Sequence, residues 1–141
     1  MRGFIPYSTN DGRKQPWEYL PCGAIKPSIG MALKQSSGVF AIASDTDKPT
    51  HISMFEAADT LASGTIIPVI AVTPDMIFEV TNSASLNGVN IGEKVTISSE
   101  TTGDNPNIGC QVTGTTTNGK ATIVDKVDGT GTGNPTLVKF E

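Results

Sequence analysis

Histidine occurs once in this 141-residue sequence, tryptophan once and cysteine twice. Each scarcity excludes something. His51 has no companion Ser or Cys motif, so no nucleophile–base pair is legible, and a lone histidine in a strand reads as structural. Cys22 and Cys110 are too few for a disulfide framework, and no CxxC or Cys/His cluster suggests zinc. They read as free thiols of a reducing compartment, with Cys110 a small buried apolar residue; one long-range disulfide is the alternative. Charged residues are only 17% of the chain, against roughly 25% in an average soluble domain. Apolar stretches are about half as long as a membrane span needs, so no transmembrane segment is expected. Residues 1–20 carry Pro6, Asn10, Asp11 and Pro16 and no apolar h-region, which argues against a secretory signal.

What is abundant points one way. Thr, Ser, Gly, Pro and Asn supply 61 of the 141 residues, while helix-favouring Glu, Lys, Arg and Leu are scarce. That composition predicts strands joined by turns. The length suits one domain. A net charge of −4 and a pI near 4.9 argue against a nucleic-acid partner. The charge is also uneven. Residues 1–34 hold five cations against two carboxylates, a net of +3, and residues 35–141 hold five against twelve, a net of −7. A basic lead on an acidic body suggests a lead that touches something acidic, with chance as the alternative.

Residues 1–30 read as an extended arm ahead of a body over residues 31–141. Phe4, Ile5, Tyr7, Trp17, Tyr19 and Leu20 are interleaved with Pro6, Pro16, Pro21 and Pro27. Proline excludes helix and central strand alike. Such a segment cannot bury itself, so it lies on its own domain or on a partner, and aromatic anchors favour the partner. Deleting residues 1–20 is then expected to abolish partner binding and leave the body folded.

In the body, Met31–Lys34 and Val39–Ala43 flank Gln35-Ser36-Ser37-Gly38, a hairpin placing Met31, Leu33, Phe40 and Ile42 on one core face. His51–Phe55 is a third strand and residues 56–64 a loop. The nearly continuous apolar run Ile66–Val72 predicts a strand buried on both faces, with Pro68 marking an edge or bulge. Met76, Phe78 and Val80 alternate inward, as do Val95 and Ile97. The strongest local signal is Asn118-Gly119 within Gln111–Asp125, which predicts a type I′ hairpin. Its core face would carry Cys110, Val112, Thr116, Ala121, Ile123 and Val127. Thr136–Phe140 closes the chain as a last strand. About eight or nine strands at this spacing imply a β-barrel or sandwich.

Catalytic equipment is missing. Asp45-Thr46-Asp47 offers two carboxylates without the glycine and distal Glu of an EF-hand, so it reads as a solvated loop. Asp104-Asn105-Pro106-Asn107 and Asp125–Gly129 read as turns. Asp75 and Glu79 do not identify a paired-carboxylate hydrolase. The Gly129-Thr130-Gly131-Thr132-Gly133 run has the glycines of a phosphate loop without its lysine or helix. A non-enzyme with no cofactor and no metal is expected.

The order of motifs resembles the small capsid decoration proteins of tailed bacteriophages. The likeness rests on Arg2-Gly3-Phe4-Ile5-Pro6-Tyr7, Trp17-Glu18-Tyr19-Leu20-Pro21, Gly30-Met31-Ala32-Leu33, Ser36-Ser37-Gly38, Lys48-Pro49-Thr50, Ile67-Pro68-Val69 and Leu137-Val138-Lys139-Phe140, and it covers most of the chain. It implies an all-β body, a single small β-barrel or β-tulip with an extended N-terminal arm. It further implies a homotrimer on the outer surface of the virion, assembled in the host cytoplasm, that cements the major capsid protein shell. No nucleic acid and no membrane are implied as partners. The arm's role carries over to Phe4, Ile5, Pro6, Tyr7, Trp17, Tyr19 and Leu20. A displayed carbohydrate- or host-surface-binding module and a tail or connector subunit are the rival readings.

Overall fold

Ser37 and Gly38 both adopt positive φ, 53° and 85°. Two consecutive residues of that kind make the tight turn that suits strand twist. In the computed structural model the chain reverses there, joining β3 (Ala32–Ser36) to β4 (Val39–Ile42) with Ser36 opposite Val39. The structure describes residues 3–9, 12–99, 107–127 and 129–141. Arg2, Asn10, Asp11, Asp128 and the expected Asp104-Asn105-Pro106 turn lie outside them.

The remaining strands are β1 (Ile5–Ser8), β2 (Trp17–Pro21), β5 (His51–Ser53), β6 (Ile66–Ala71), β7 (Ile77–Thr81), β8 (Lys94–Val95), β9 (Ala121–Asp125) and β10 (Pro135–Lys139). No helix is found among the described residues. The strands form two antiparallel sheets of five, in the orders β1-β7-β10-β9-β8 and β2-β6-β5-β3-β4. The all-β architecture therefore stands, but the two sheets are not closed into a barrel.

Alternation along β6 distributes its side chains between two cores. Ile70 joins Phe4, Ile52, Met76, Phe78, Val80, Ile97, Ile123, Val138 and Phe140 in the larger core. Ile67 and Val69 point the other way, into a smaller core with Met31, Leu33, Phe40, Cys22 and Cys110. Within the run, Ile67, Val69 and Ile70 are buried, one face toward each core, whereas Pro68, Ala71 and Val72 are half-buried and Ile66 is exposed. β6 is nonetheless an interior strand, and Pro68 sits in it without a register shift. Proline is tolerated because its missing N–H faces the side where β5 has already ended at Ser53; the Pro68 carbonyl still accepts the Met54 N–H at 2.9 Å.

The Asn118-Gly119 hairpin does not form. β9 pairs with β8 and β10, and Val112 bridges instead to Ile97 and Asn82. Gly119 serves another purpose: a Cβ there would lie 2.5 Å from the Val95 backbone carbon, so the glycine lets two main chains approach. Val112, Ala121, Ile123 and Cys110 are buried as expected, whereas Thr116 is exposed and Val127 is largely so.

The leading segment is woven into both sheets. β1 pairs with β7 and β2 pairs with β6 over five residues. The Phe4 N–H donates to the Gly30 carbonyl at 2.7 Å. Its ring is fully buried, 5.3 Å from Phe140 and 6.3 Å from Phe78 between centroids. Removing residues 1–20 would therefore open the larger core and unpair β6, contrary to the expectation of an intact body.

Candidate functional site: a groove lined by the outermost strands of the two sheets

The prolines of the lead place its strands. Pro6 in β1 and Pro21 in β2 cannot serve as ladder donors, and both strands are outermost in their sheets. The chain between them turns at Gly12, whose φ is 72° and whose N–H meets the Thr9 carbonyl. The Thr9 hydroxyl donates to the Arg13 carbonyl at 2.9 Å and braces the same turn.

β2 presents two kinds of surface. The Cys22 N–H donates to the Thr65 carbonyl at 2.8 Å, toward β6. By the two-residue alternation of an antiparallel ladder, Leu20 and Glu18 turn their backbone groups to β6, and Trp17 and Tyr19 turn theirs to the open edge. Opposed residues share a face, so the Trp17 side chain lies beside Ile70, Tyr19 beside Pro68 and Pro21 beside Ile66. Trp17, Tyr19 and Ile66 are 55%, 66% and 58% exposed, and Tyr7 on β1 is 62% exposed. The first sheet covers this face at Ile70 and leaves the rest open.

Residues of β1, of β2 and of the connection between them line a groove of about 420 Å³. Met54, Ile70 and Met76 line it from the core side. Pro6, Tyr7 and Trp17 line it from the edge strands, and Arg13, Lys14 and Gln15 from the connection. Arg13 and Lys14 are exposed, and no carboxylate lines the groove among the described residues. It is an aromatic, thioether-rich cleft with a cationic rim.

The seven residues singled out in the sequence separate here. Pro6, Tyr7 and Trp17 line the groove, and Tyr19 adjoins Trp17 on the open face. Phe4 is a core residue and offers no surface. Leu20 is half-buried against the smaller core, and half-buried Ile5 pairs with Glu79. Sequence reasoning did not find Met54, Ile66 and Met76, which look like ordinary core residues. Arg13 and Lys14 had a signal in the positive lead.

No protein-family model, curated protein or solved structure matches this chain.

His51 lies tilted against Phe40, 4.8 Å between ring centroids and 55° between planes, its Nδ1 lies 3.0 Å from the Thr50 hydroxyl and its Nε2 lies 3.6 Å from Glu18. Burial lowers the imidazole pKa, and Glu18 acts in the opposite sense. Asp47 accepts from Lys34 at 2.8 Å and from the Ser44 N–H at 3.1 Å, so the Asp45-Thr46-Asp47 loop carries its own cation. Neither Cys22 nor Cys110 is in a disulfide; both are buried, and burial pushes the Cys22 thiol up. Among the described residues, no three His, Cys, Asp or Glu groups cluster to hold a metal, and no helix is long and apolar enough to cross a membrane.

Proposed function

We propose that this chain is a non-catalytic structural protein of the virion, a decoration protein that binds the outer surface of a major capsid protein shell as a homotrimer. The observation that carries the reading is the exposure of the aromatic side chains of Tyr7, Trp17 and Tyr19 on the outermost strands of the two sheets. Aromatic side chains with one apolar face and few rotamers are the usual anchors of protein interfaces. An open strand edge adds main-chain hydrogen bonding to a partner, with alternate side chains giving specificity. Repetition around a three-fold axis multiplies modest contacts into avidity. The role calls for buried area and geometry and for no acid, base or nucleophile.

The barrel-like body belongs to the same proposal. Its support is a set of single bridges: Val112 to Ile97 and to Asn82 carries pairing from the end of β8 round to the end of β7, and Cys22 to Phe40 links β2 to β4.

The test is co-sedimentation of the full chain with expanded shells stripped of it. The Tyr19→Ala/Ile66→Ser double variant, altered only at exposed positions, should stay folded and lose shell binding. Native mass spectrometry should give a trimer. Undiminished binding by the variant, or glycan binding that depends on Trp17, would overturn the proposal, and a hexameric ring would move it to the tail.

A further inference from the structure

We infer that the groove between β1 and β2 receives an extended acidic peptide segment of the partner, one large apolar side chain entering between Tyr7 and Trp17 onto Met54, Ile70 and Met76. This deepens the proposed function by naming the chemistry of the partner, and it reverses the expected direction of exchange. The lead is committed to its own two sheets, so the partner's chain comes to the groove.

The floor decides the kind of side chain. Two thioethers and an isoleucine offer no donor and only weak acceptors, and the Met76 sulfur already accepts from the Thr73 N–H at 3.4 Å, so a sugar or a polar side chain would leave most of its own groups unpaired there. Methionine is flexible and polarisable and accommodates apolar shapes of several kinds. The volume of about 420 Å³ lies in the range of ligand sites, roughly 300–1,000 Å³. It suits a few residues of extended chain and no folded domain. The rim decides the charge. Lys14 stands exposed on the connection at the groove, and the described lining holds no carboxylate. A peptide with carboxylates flanking the apolar residue complements that rim.

Trp17 is the chain's only tryptophan and lines the groove, so its emission reports on this site alone. The full chain is titrated with acetylated, amidated pentapeptides of sequence Thr-Asp-X-Asp-Thr, with X being Leu, Met or Phe. Two control sets replace the Asp residues by Lys, or X by Ser. The expected result is a saturable blue shift with the acidic apolar set, weaker by about threefold or more with the lysine set and absent with the serine set. Lys14→Glu should reverse the charge preference, and Tyr7→Ala should weaken every apolar peptide; both positions are exposed, and far-ultraviolet dichroism checks the fold. Absence of a saturable shift, equal binding of the lysine or serine sets, or no effect of Lys14→Glu would overturn the inference. A shift of Trp17 emission with protein concentration alone would assign the groove to a second copy and overturn it as well. Shell binding that survives both variants removes the groove and leaves the decoration role. Peptide binding without shell binding does the opposite.

Discussion

β1 and β10 lie on opposite sides of the same strand, β7, and are used in opposite ways. β10 has a neighbour on each side, and Thr136, Leu137 and Val138 are all buried. β1 has one neighbour, and Pro6, Tyr7 and Ser8 are exposed. The second sheet repeats the contrast between interior β6 and outermost β2. A strand's place in the sheet decides whether its large side chains hold the fold or remain available to a partner. The change from one use to the other takes only three residues, from buried Phe4 to exposed Tyr7.

That contrast can be broken most sharply at Phe4. Phe4→Ala should lower stability by about 3–5 kcal/mol, through lost transfer energy and the cavity left between Phe78 and Phe140. Urea unfolding measures it; a loss near that of a surface substitution would mean that the lead is a detachable arm after all. Next comes Gly119→Ala, expected to cost about 1–3 kcal/mol because the new methyl meets the Val95 and Lys94 backbone. Trp17→Ala and Tyr19→Ala should each change stability by about 0.5 kcal/mol or less while abolishing partner binding, which thermal melts and co-sedimentation separate. The smallest effect concerns His51. Folding holds its pKa below the ordinary 6.5, mainly by burial. The unfolded chain therefore takes up the proton more readily. This contribution is complete above the ordinary value and is lost as pH falls through 6.5 toward the folded value. His51→Gln should flatten the dependence of the unfolding midpoint over that window.

Where spacing along the chain sets the outcome, the fold was legible. A two-residue turn at Ser36-Ser37 or at Ser37-Gly38 leaves Met31, Leu33 and Phe40 on one face by alternation, and the structure takes the second; the double-sided burial of Ile67, Val69 and Ile70 was legible in the same way. What was not legible depended on neighbours distant in sequence. Asn118-Gly119 carries the composition of a hairpin turn, but β9 finds better partners in β8 and β10, and glycine is needed there for an approach between backbones. Proline spacing indicated that β1 and β2 avoid sheet interiors; it could not indicate that they pair within their own protomer. The exposed aromatics of the groove were visible as an unusual cluster. Its floor was not, because Met54, Ile70 and Met76 come from three separate stretches that only the packing of the sheets brings together.

The contact of Phe4 with Phe140 has a bearing on synthesis. The larger core takes an essential ring from near each end of the 141 residues. On the ribosome, β1 must wait for β7, and the aromatic cluster stays incomplete until residue 140 has left the exit tunnel. Pairings of such wide sequence separation close slowly. A nascent chain would meanwhile display the same sticky lead that the finished protein keeps at its edge, so translation pace and chaperone access should govern the yield of soluble product.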